Sequence, residues 1–252
     1  MTPRLDELLL SLLAEIPEGA ADVSALPVTG APRLLVDGVL GPSSSGATFA
    51  VHDPSTGEQV GEAADGTAAD MDAAIGAARA AFDSTAWAAD HEQRARCLRQ
   101  LSEAMRAGAD MLRRDLVAEI GCPVRMTYGD QLDRPAEKLR FYADLAEGYS
   151  YETRLGAGDG RAGNWLLREP SGVVGAITPW NLPIELDLAK VGAALAAGCT
   201  VVLKPSPLSP WSGAHLGRLA AERTDLPPGV LNVVTSSSNE VAAMLSTDPR
   251  VD

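Results

Sequence analysis

The most constraining feature of this sequence is an alternation of apolar runs and helical patterns that begins at residue 173. Short apolar runs typical of strands alternate with segments whose apolar residues recur three and four positions apart, as in helices. This order predicts parallel strands joined by crossover helices, with ligands bound beyond the carboxyl ends of the strands. We therefore predict an α/β fold, a Rossmann-like parallel sheet with flanking helices. The predicted strands are Val173–Ile177, Thr200–Leu203 and Leu231–Val234, and the predicted helices cover 184–197, 212–223 and Glu240–Leu245.

Residues 1–32 are predicted to be an amino-terminal extension with one short amphipathic helix. Thr2 is its expected cap and Pro3 its first residue, and Pro17 with Gly19 ends it. We favour a helix that docks on its own chain over a partner-binding or membrane-surface helix, because its polar face is not basic. Its apolar face consists of Leu5, Leu8, Leu9, Leu12 and Ile16.

Residues 33–148 are predicted to hold further strands and helices that pack against the sheet. Asp37–Gly38 is a turn dipeptide, and the strands Leu34–Val36 and Phe49–Val51 are expected on either side of it. Three helical regions follow. Their capping and terminating signals are Thr67 with Asp70, Asp90 with Gln93, and Gly121 with Pro123.

Residues 149–170 are predicted to form a β-hairpin with a glycine-rich tip. Strand-like residues around Tyr151 and Trp165 flank the run Gly156–Gly160. A dinucleotide fingerprint leaves a strand and opens a helix. This glycine run is followed by a second strand-like stretch, so we do not interpret it as a fingerprint.

Composition and charge exclude several classes of protein. The formal net charge of −13 argues against a nucleic-acid partner, which would require a basic face. No apolar stretch reaches the roughly 18 residues of a membrane span. The three cysteines are widely spaced, which supports neither a disulfide framework nor a zinc site. We expect a cytoplasmic protein without a site metal, whose histidines and dispersed carboxylates are ordinary surface or packing residues.

Unusual residues follow two of the predicted parallel strands. Asn181 stands between Pro179 and Pro183 where a helix begins, so its side chain could cap the helix or stabilise an oxyanion. On spacing alone, the cap is favoured. Lys204 ends the next strand and could be a solvated surface residue or a donor to sugar or phosphate groups.

Three runs together resemble the aldehyde dehydrogenase family, in the order and spacing of that family. They are Glu169–Asn181 (EPSGVVGAITPWN), Ala194–Ser206 (ALAAGCTVVLKPS) and Leu226–Val234 (LPPGVLNVV). The resemblance extends from about Leu34 to Asp252. It implies NAD- or NADP-dependent oxidation of an aldehyde substrate to a carboxylic acid, by a cysteine nucleophile and a glutamate-activated water. It also implies that residues 33–148 and 171–252 belong to a cofactor-binding domain and that the 149–170 hairpin serves oligomerisation.

The resemblance assigns roles to individual residues. Asn181 would donate its side-chain amide to the oxyanion, a contact worth about 3–4 kcal/mol in comparable sites. Lys204 would hydrogen-bond the adenosine ribose, and Lys190 also matches a family lysine. The implied cofactor-binding residues are Ile177, Pro179, Trp180, Asn181, Lys204, Ser206, Pro207 and Ser238.

The sequence departs from the family pattern in two places, at Pro207 and in the run that contains Ser238 and Ala242. Pro207 stands where many NAD-preferring members have a glutamate, so the choice between NAD and NADP stays open. Ser238 and Ala242 replace glycines of a run near the adenine, which changes how closely the backbone can approach it.

The chain ends at Asp252, before the family's nucleophile and glutamate motifs. None of its cysteines, Cys97, Cys122 and Cys199, matches the nucleophile. We therefore expect an incomplete fold and no aldehyde oxidation by this chain alone. Catalysis would need a complementing carboxy-terminal half, and the expected partner is either a second copy of the chain, in a homo-oligomer, or that half. The alternative is a non-catalytic cofactor-binding or oligomerisation module. An uncovered sheet edge, seen as poor solubility, would separate an orphaned half from a self-contained module.

Overall fold

The structure is a computed structural model that describes residues 16–31, 33–155 and 163–252. The predicted amino-terminal helix, apart from Ile16, and the glycine-rich tip lie outside the described residues. The strands are β1 (Leu34–Val36), β2 (Val39–Gly41), β3 (Thr48–His52), β4 (Gln59–Ala64), β5 (Glu152–Leu155), β6 (Asn164–Leu167), β7 (Val173–Ile177), β8 (Thr200–Lys204) and β9 (Leu231–Val233). The helices are α1 (Ala68–Ser84), α2 (His91–Ala107), α3 (Ala109–Ile120), α4 (Val124–Thr127), α5 (Asp133–Gly148), α6 (Pro183–Ala197), α7 (Pro210–Arg223) and α8 (Asn239–Thr247).

The central sheet has five strands in the order β2-β1-β9-β8-β7. Strands β7, β8 and β9 are parallel, which confirms the predicted α/β fold. Strand β1 runs antiparallel to β9 and extends the sheet, with Leu35 opposite Val233. The sheet is therefore mixed, a feature that the sequence pattern did not predict.

The prediction for the first hairpin was partly wrong. Asp37 and Gly38 do form the turn, with φ values of 51° and 76°. A two-residue turn of this left-handed kind pairs the residues immediately before and after it. Strand β1 therefore pairs with β2, Val36 facing Val39. The predicted strand Phe49–Val51 belongs to β3, which pairs with β4 in a separate two-stranded sheet.

Alternation along β8 separates two core layers, since successive side chains of a strand point to opposite faces. Val201 and Leu203 pack with residues of α2, α5, α6 and α7. Val202 packs on the other face with residues of α1 and α8. The start of α1 is the predicted capping box, in which Thr67 and Asp70 each accept a hydrogen bond from the other's backbone N–H.

Strands β5 and β6 pair antiparallel, so the strands of the predicted hairpin are confirmed. Their outward side chains are unusually apolar: Trp165 is 58% exposed and Leu167 is 54% exposed. Among the described residues, no helix combines the length and the apolar character that crossing a lipid bilayer requires.

Candidate active site

The carboxyl ends of the three parallel strands meet at one edge of the sheet. Ile177, the last residue of β7, is paired in register with Lys204, the last residue of β8. Leu203 is likewise paired with Val233 at the end of β9. The loops 178–182, 205–209 and 234–238 therefore begin side by side, as expected for a ligand-binding edge of an α/β sheet.

The first loop presents the predicted residues to the surface. Ile177 is 47% exposed, Trp180 is 53% exposed, and Pro179 and Asn181 are exposed beside them. The loop begins with the Thr178 N–H, which donates to the carbonyl of Lys204 at 3.3 Å.

The Asn181 side chain does not cap the following helix, so the cap favoured on spacing was wrong. The cap position of α6 is Leu182, and no side-chain hydrogen bond caps this helix. Pro183 as the first helical residue removes one of the N–H groups that a cap would satisfy. The Asn181 carbonyl accepts a hydrogen bond of 3.2 Å from Nε2 of Gln131, in the segment before α5.

Lys204 is 3% exposed, which excludes the solvated surface residue that was one of the two alternatives for this lysine. Burial lowers the pKa of its ammonium group, and the nearby charge of Asp65 raises it in part. Asp65 is held at this edge because its carboxylate accepts hydrogen bonds of 2.8 Å from both the backbone N–H and the hydroxyl of Ser237. The edge thus combines a buried cation, a fixed carboxylate and exposed apolar side chains.

The second loop holds Ser206 and Pro207 next to Lys204. The Ser206 hydroxyl oxygen accepts a hydrogen bond of 3.1 Å from the Leu208 N–H, which leaves its own proton available for a further bond. Pro207 is half-buried and carries no charge, whereas Leu208 is 62% exposed.

The third loop ends at the start of α8. The Ser238 hydroxyl oxygen accepts hydrogen bonds from the N–H groups of Glu240, at 3.1 Å, and Val241, at 3.4 Å. Ser238 therefore caps the helix with its own side chain. A glycine at this position could not do so.

Sequence reasoning missed Gln131 and Asp65, whose roles depend on contacts between distant segments. It also took the carboxylates for solvated ones, although Asp115, Glu119 and Asp187 are each at most 3% exposed. The signal was present: Asp115 and Glu119 each lie three positions after a buried leucine of α3, and residues so spaced are neighbours on a helix surface.

The cysteines lie away from this edge in the packed interior. All three are buried free thiols. Burial raises the pKa of both Cys97 and Cys122 to about 11, the opposite of what an attacking thiolate requires.

The fold and this edge define an α/β protein with a candidate ligand site at the carboxyl ends of its parallel strands. A model of the aldehyde dehydrogenase family matches residues 42–252. An aldehyde dehydrogenase of Enchytraeus buchholzi is 40% identical over 214 residues, which are 83% of this chain and 42% of that protein. An NADP/NAD-dependent aldehyde dehydrogenase of Escherichia coli is 36% identical, covering 87% of this chain and 44% of that protein. The chain belongs to the aldehyde dehydrogenase family.

Solved structures of the family have the same architecture. A mutant of aldehyde dehydrogenase C from Pseudomonas syringae, in complex with NAD+ and octanal, matches with a TM-score of 0.80 and 37% identity, over 88% of this chain and 44% of that one. An NAD-dependent aldehyde dehydrogenase from Sinorhizobium meliloti matches with a TM-score of 0.83 and 30% identity, over 96% and 47%. The chain spans less than half the length of each of these relatives.

Proposed function

We propose that this chain is the cofactor-binding portion of an NAD- or NADP-dependent aldehyde dehydrogenase, which oxidises an aldehyde to a carboxylic acid. Catalysis by it would need the remaining portion of the family fold. The observation that carries the proposal is the in-register pair Ile177 and Lys204. It supports a single site in which the Asn181 loop and the buried lysine act on the same ligand.

The residues at this edge fit a nicotinamide dinucleotide. Ile177 and Trp180 offer apolar surface to a planar ring, and the Lys204 ammonium group has three N–H donors for ribose hydroxyls. The other residues that would contact the cofactor are Pro179, Ser206, Pro207 and Ser238. Because Pro207 neither binds a 2′-hydroxyl nor repels a 2′-phosphate, the proposal includes both NAD and NADP.

The cofactor, when bound, supplies the hydride acceptor of the reaction. The Asn181 amide would donate hydrogen bonds to the aldehyde oxygen as it gains negative charge. Such a donor is worth about 3–4 kcal/mol when it is held in place before the reaction. The buried thiols of Cys97, Cys122 and Cys199 do not supply a nucleophile, so that group would come from the remaining portion of the enzyme.

The first experiment is to sequence the source DNA beyond codon 252. A continuation with the family's cysteine and glutamate motifs would allow the joined protein to be tested for aldehyde oxidation with NAD+ and NADP+. Asn181→Ala and the isosteric Asn181→Asp should each lower kcat by about 10²–10³. Full turnover by the 252-residue chain alone, or by the Asn181 variants, would contradict the proposal.

A second candidate function is that of a non-catalytic cofactor-binding or oligomerisation module. The exposed apolar side chains of the hairpin, among them Trp165 and Leu167, favour a partner on that surface. We propose a second copy of the chain as that partner.

The cytoplasm is the compartment that we propose for this protein. The three free thiols support it, since disulfides are rare in a reducing compartment.

A further inference from the structure

We infer that Gln131 is a positioning residue for Asn181, a role that rests on the proposed function of the Asn181 amide. Gln131 is 4% exposed, and its Nε2–H donates to the Asn181 carbonyl at 3.2 Å. This bond holds the peptide plane that follows Asn181. It thereby limits the directions open to the side chain of the same residue.

The loop that carries Asn181 needs support from outside. Pro179 and Pro183, on either side of Asn181, have no N–H to donate. Leu182 occupies the cap position of α6 without a side-chain cap. A hydrogen bond from a buried side chain to the middle of this loop therefore restrains a segment whose own backbone has few donors.

The segment that carries Gln131 is itself held in place by hydrogen bonds and by Arg113. The Gln131 backbone N–H donates to the Met126 carbonyl at 3.1 Å. The guanidinium group of Arg113, on α3, donates to the Thr127 carbonyl at 2.6 Å and to the Asp133 carboxylate at 2.7 Å. The same group lies over the Tyr128 ring, 3.8 Å from its centre. A buried arginine thus fixes the segment from which Gln131 reaches the loop.

A role in packing alone does not account for this side chain. The Oε1 atom of Gln131 is buried and has no hydrogen-bond partner among the described residues. A buried polar atom without a partner costs free energy that an apolar side chain of the same length would avoid. The contact that the amide does make is the one with Asn181.

The test uses the full 252-residue chain labelled with ¹⁵N at its four asparagines, Asn164, Asn181, Asn232 and Asn239. The side-chain amide signal of Asn181 is assigned by its loss in Asn181→Ala. In Gln131→Met, which keeps the length but removes the donor, this signal should shift and its order parameter should fall below that of the unaltered chain. Gln131→Leu, which also lacks a donor, should have the same effect.

Gln59→Met is the matched control, since Gln59 is exposed on β4 and its amide bonds the nearby Gly61 carbonyl. This control should leave the Asn181 signal unchanged. The buried Asn232 amide, which donates to the Gly229 carbonyl at 2.7 Å, reports on the sheet and should not move in any variant.

An Asn181 signal that is unchanged in folded Gln131 variants would overturn the inference. Equal changes at Asn232, or loss of folding in both variants, would assign Gln131 a structural role instead. A separate titration of the unaltered chain with NAD+ tests the proposed function. Failure to bind would count against that function, whereas the Asn181 signal would still decide whether Gln131 restrains this residue.

Discussion

The Asp115 carboxylate and the His215 imidazole, which belong to α3 and α7, are joined by a 2.6 Å hydrogen bond in the interior. The side chains of both residues are 2% exposed. The same carboxylate accepts hydrogen bonds from the backbone N–H and the hydroxyl of Thr29, at 3.0 and 2.7 Å. It therefore joins two helices to the segment that precedes β1.

Asp115→Ala should lower the free energy of unfolding by about 3–5 kcal/mol, because it leaves buried donors without their acceptor. Although burial raises the pKa of Asp115, the hydrogen bonds from His215 and Thr29 outweigh burial and lower it. The stabilisation is thus present above the ordinary carboxyl range, near pH 4, and is lost as the pH falls further. Urea unfolding at pH 7 and at pH 3 would measure both effects.

The control for this prediction is Asp83→Ala, which removes an exposed carboxylate from its pair with the half-buried Arg79 at 2.6 Å. Exposed pairs contribute about 1 kcal/mol or less, so this variant should unfold almost as the unaltered protein does. Equal losses of unfolding free energy in the two variants would show that the buried pair stabilises the fold no more than the pair of Asp83 does.

Because of Asp187, we expect the free energy of unfolding to fall as the pH rises from about 4 to 7. Burial raises the pKa of this carboxyl to about 7, and the hydroxyls of Thr178 and Ser212 offset that only in part. The folded state therefore holds a proton that the unfolded chain releases near pH 4. Each pH unit in this window should remove about 1.4 kcal/mol from the free energy of unfolding. Above pH 7 this contribution is fully lost.

Asp187→Asn, which keeps the size of the side chain and cannot ionise, should flatten this slope by one proton. Glu119 contributes in the same direction, since burial raises its pKa as well, so a part of the slope should persist. Denaturant unfolding at several pH values, with Asp83→Asn as the exposed control, measures the change. An unaltered slope in Asp187→Asn would mean that this carboxyl is already ionised in the fold at pH 5.

The parallel part of the sheet was predictable because each of its strands is bounded by helices with their own apolar pattern. The helix predicted over 184–197 begins one residue earlier, at Pro183, and ends at Ala197 as predicted. The position of β1 was not predictable. Its three residues have no period of their own, and its pairing with β9 joins Leu35 to Val233, which are distant in the sequence.

The candidate site, like the fold, was predictable from the sequence only in part. The alternation located Lys204 at a strand end, whereas Ile177 was assigned to the site only by the resemblance to the family. The sequence left the exposure of Lys204 open, since the burial of a side chain depends on segments that come from other parts of the chain. Gln131 was missed because the segment from 123 to 132 has no apolar period, and its contact with Asn181 exists only in the folded chain.

The hairpin formed by β5 and β6 should mediate self-association. Trp165→Arg with Leu167→Glu replaces two exposed apolar side chains by opposite charges and should shift the chain towards the monomer, because charged groups resist desolvation at an interface. Sedimentation velocity over a range of concentrations measures this shift. Val39→Glu is the control, since Val39 is also exposed, at 68%, but belongs to β2, an edge strand of the central sheet with which the hairpin is not paired. An unchanged distribution in the hairpin variant would assign self-association to another surface.

Pro207→Glu should shift the cofactor preference of the chain towards NAD+. A carboxylate beside Lys204 would accept hydrogen bonds from ribose hydroxyls and would repel a 2′-phosphate. We expect the ratio of the Kd for NADP+ to the Kd for NAD+ to rise roughly tenfold, equivalent to about 1.4 kcal/mol. Isothermal titration calorimetry with both cofactors measures this ratio.

Leu208→Glu is the matched control, since it places the same charge one position further along the loop, on a side chain that is 62% exposed. A charge there is screened by solvent and should leave the ratio nearly unchanged. If both variants change the ratio equally, the preference follows the overall charge of the edge and Pro207 does not determine it.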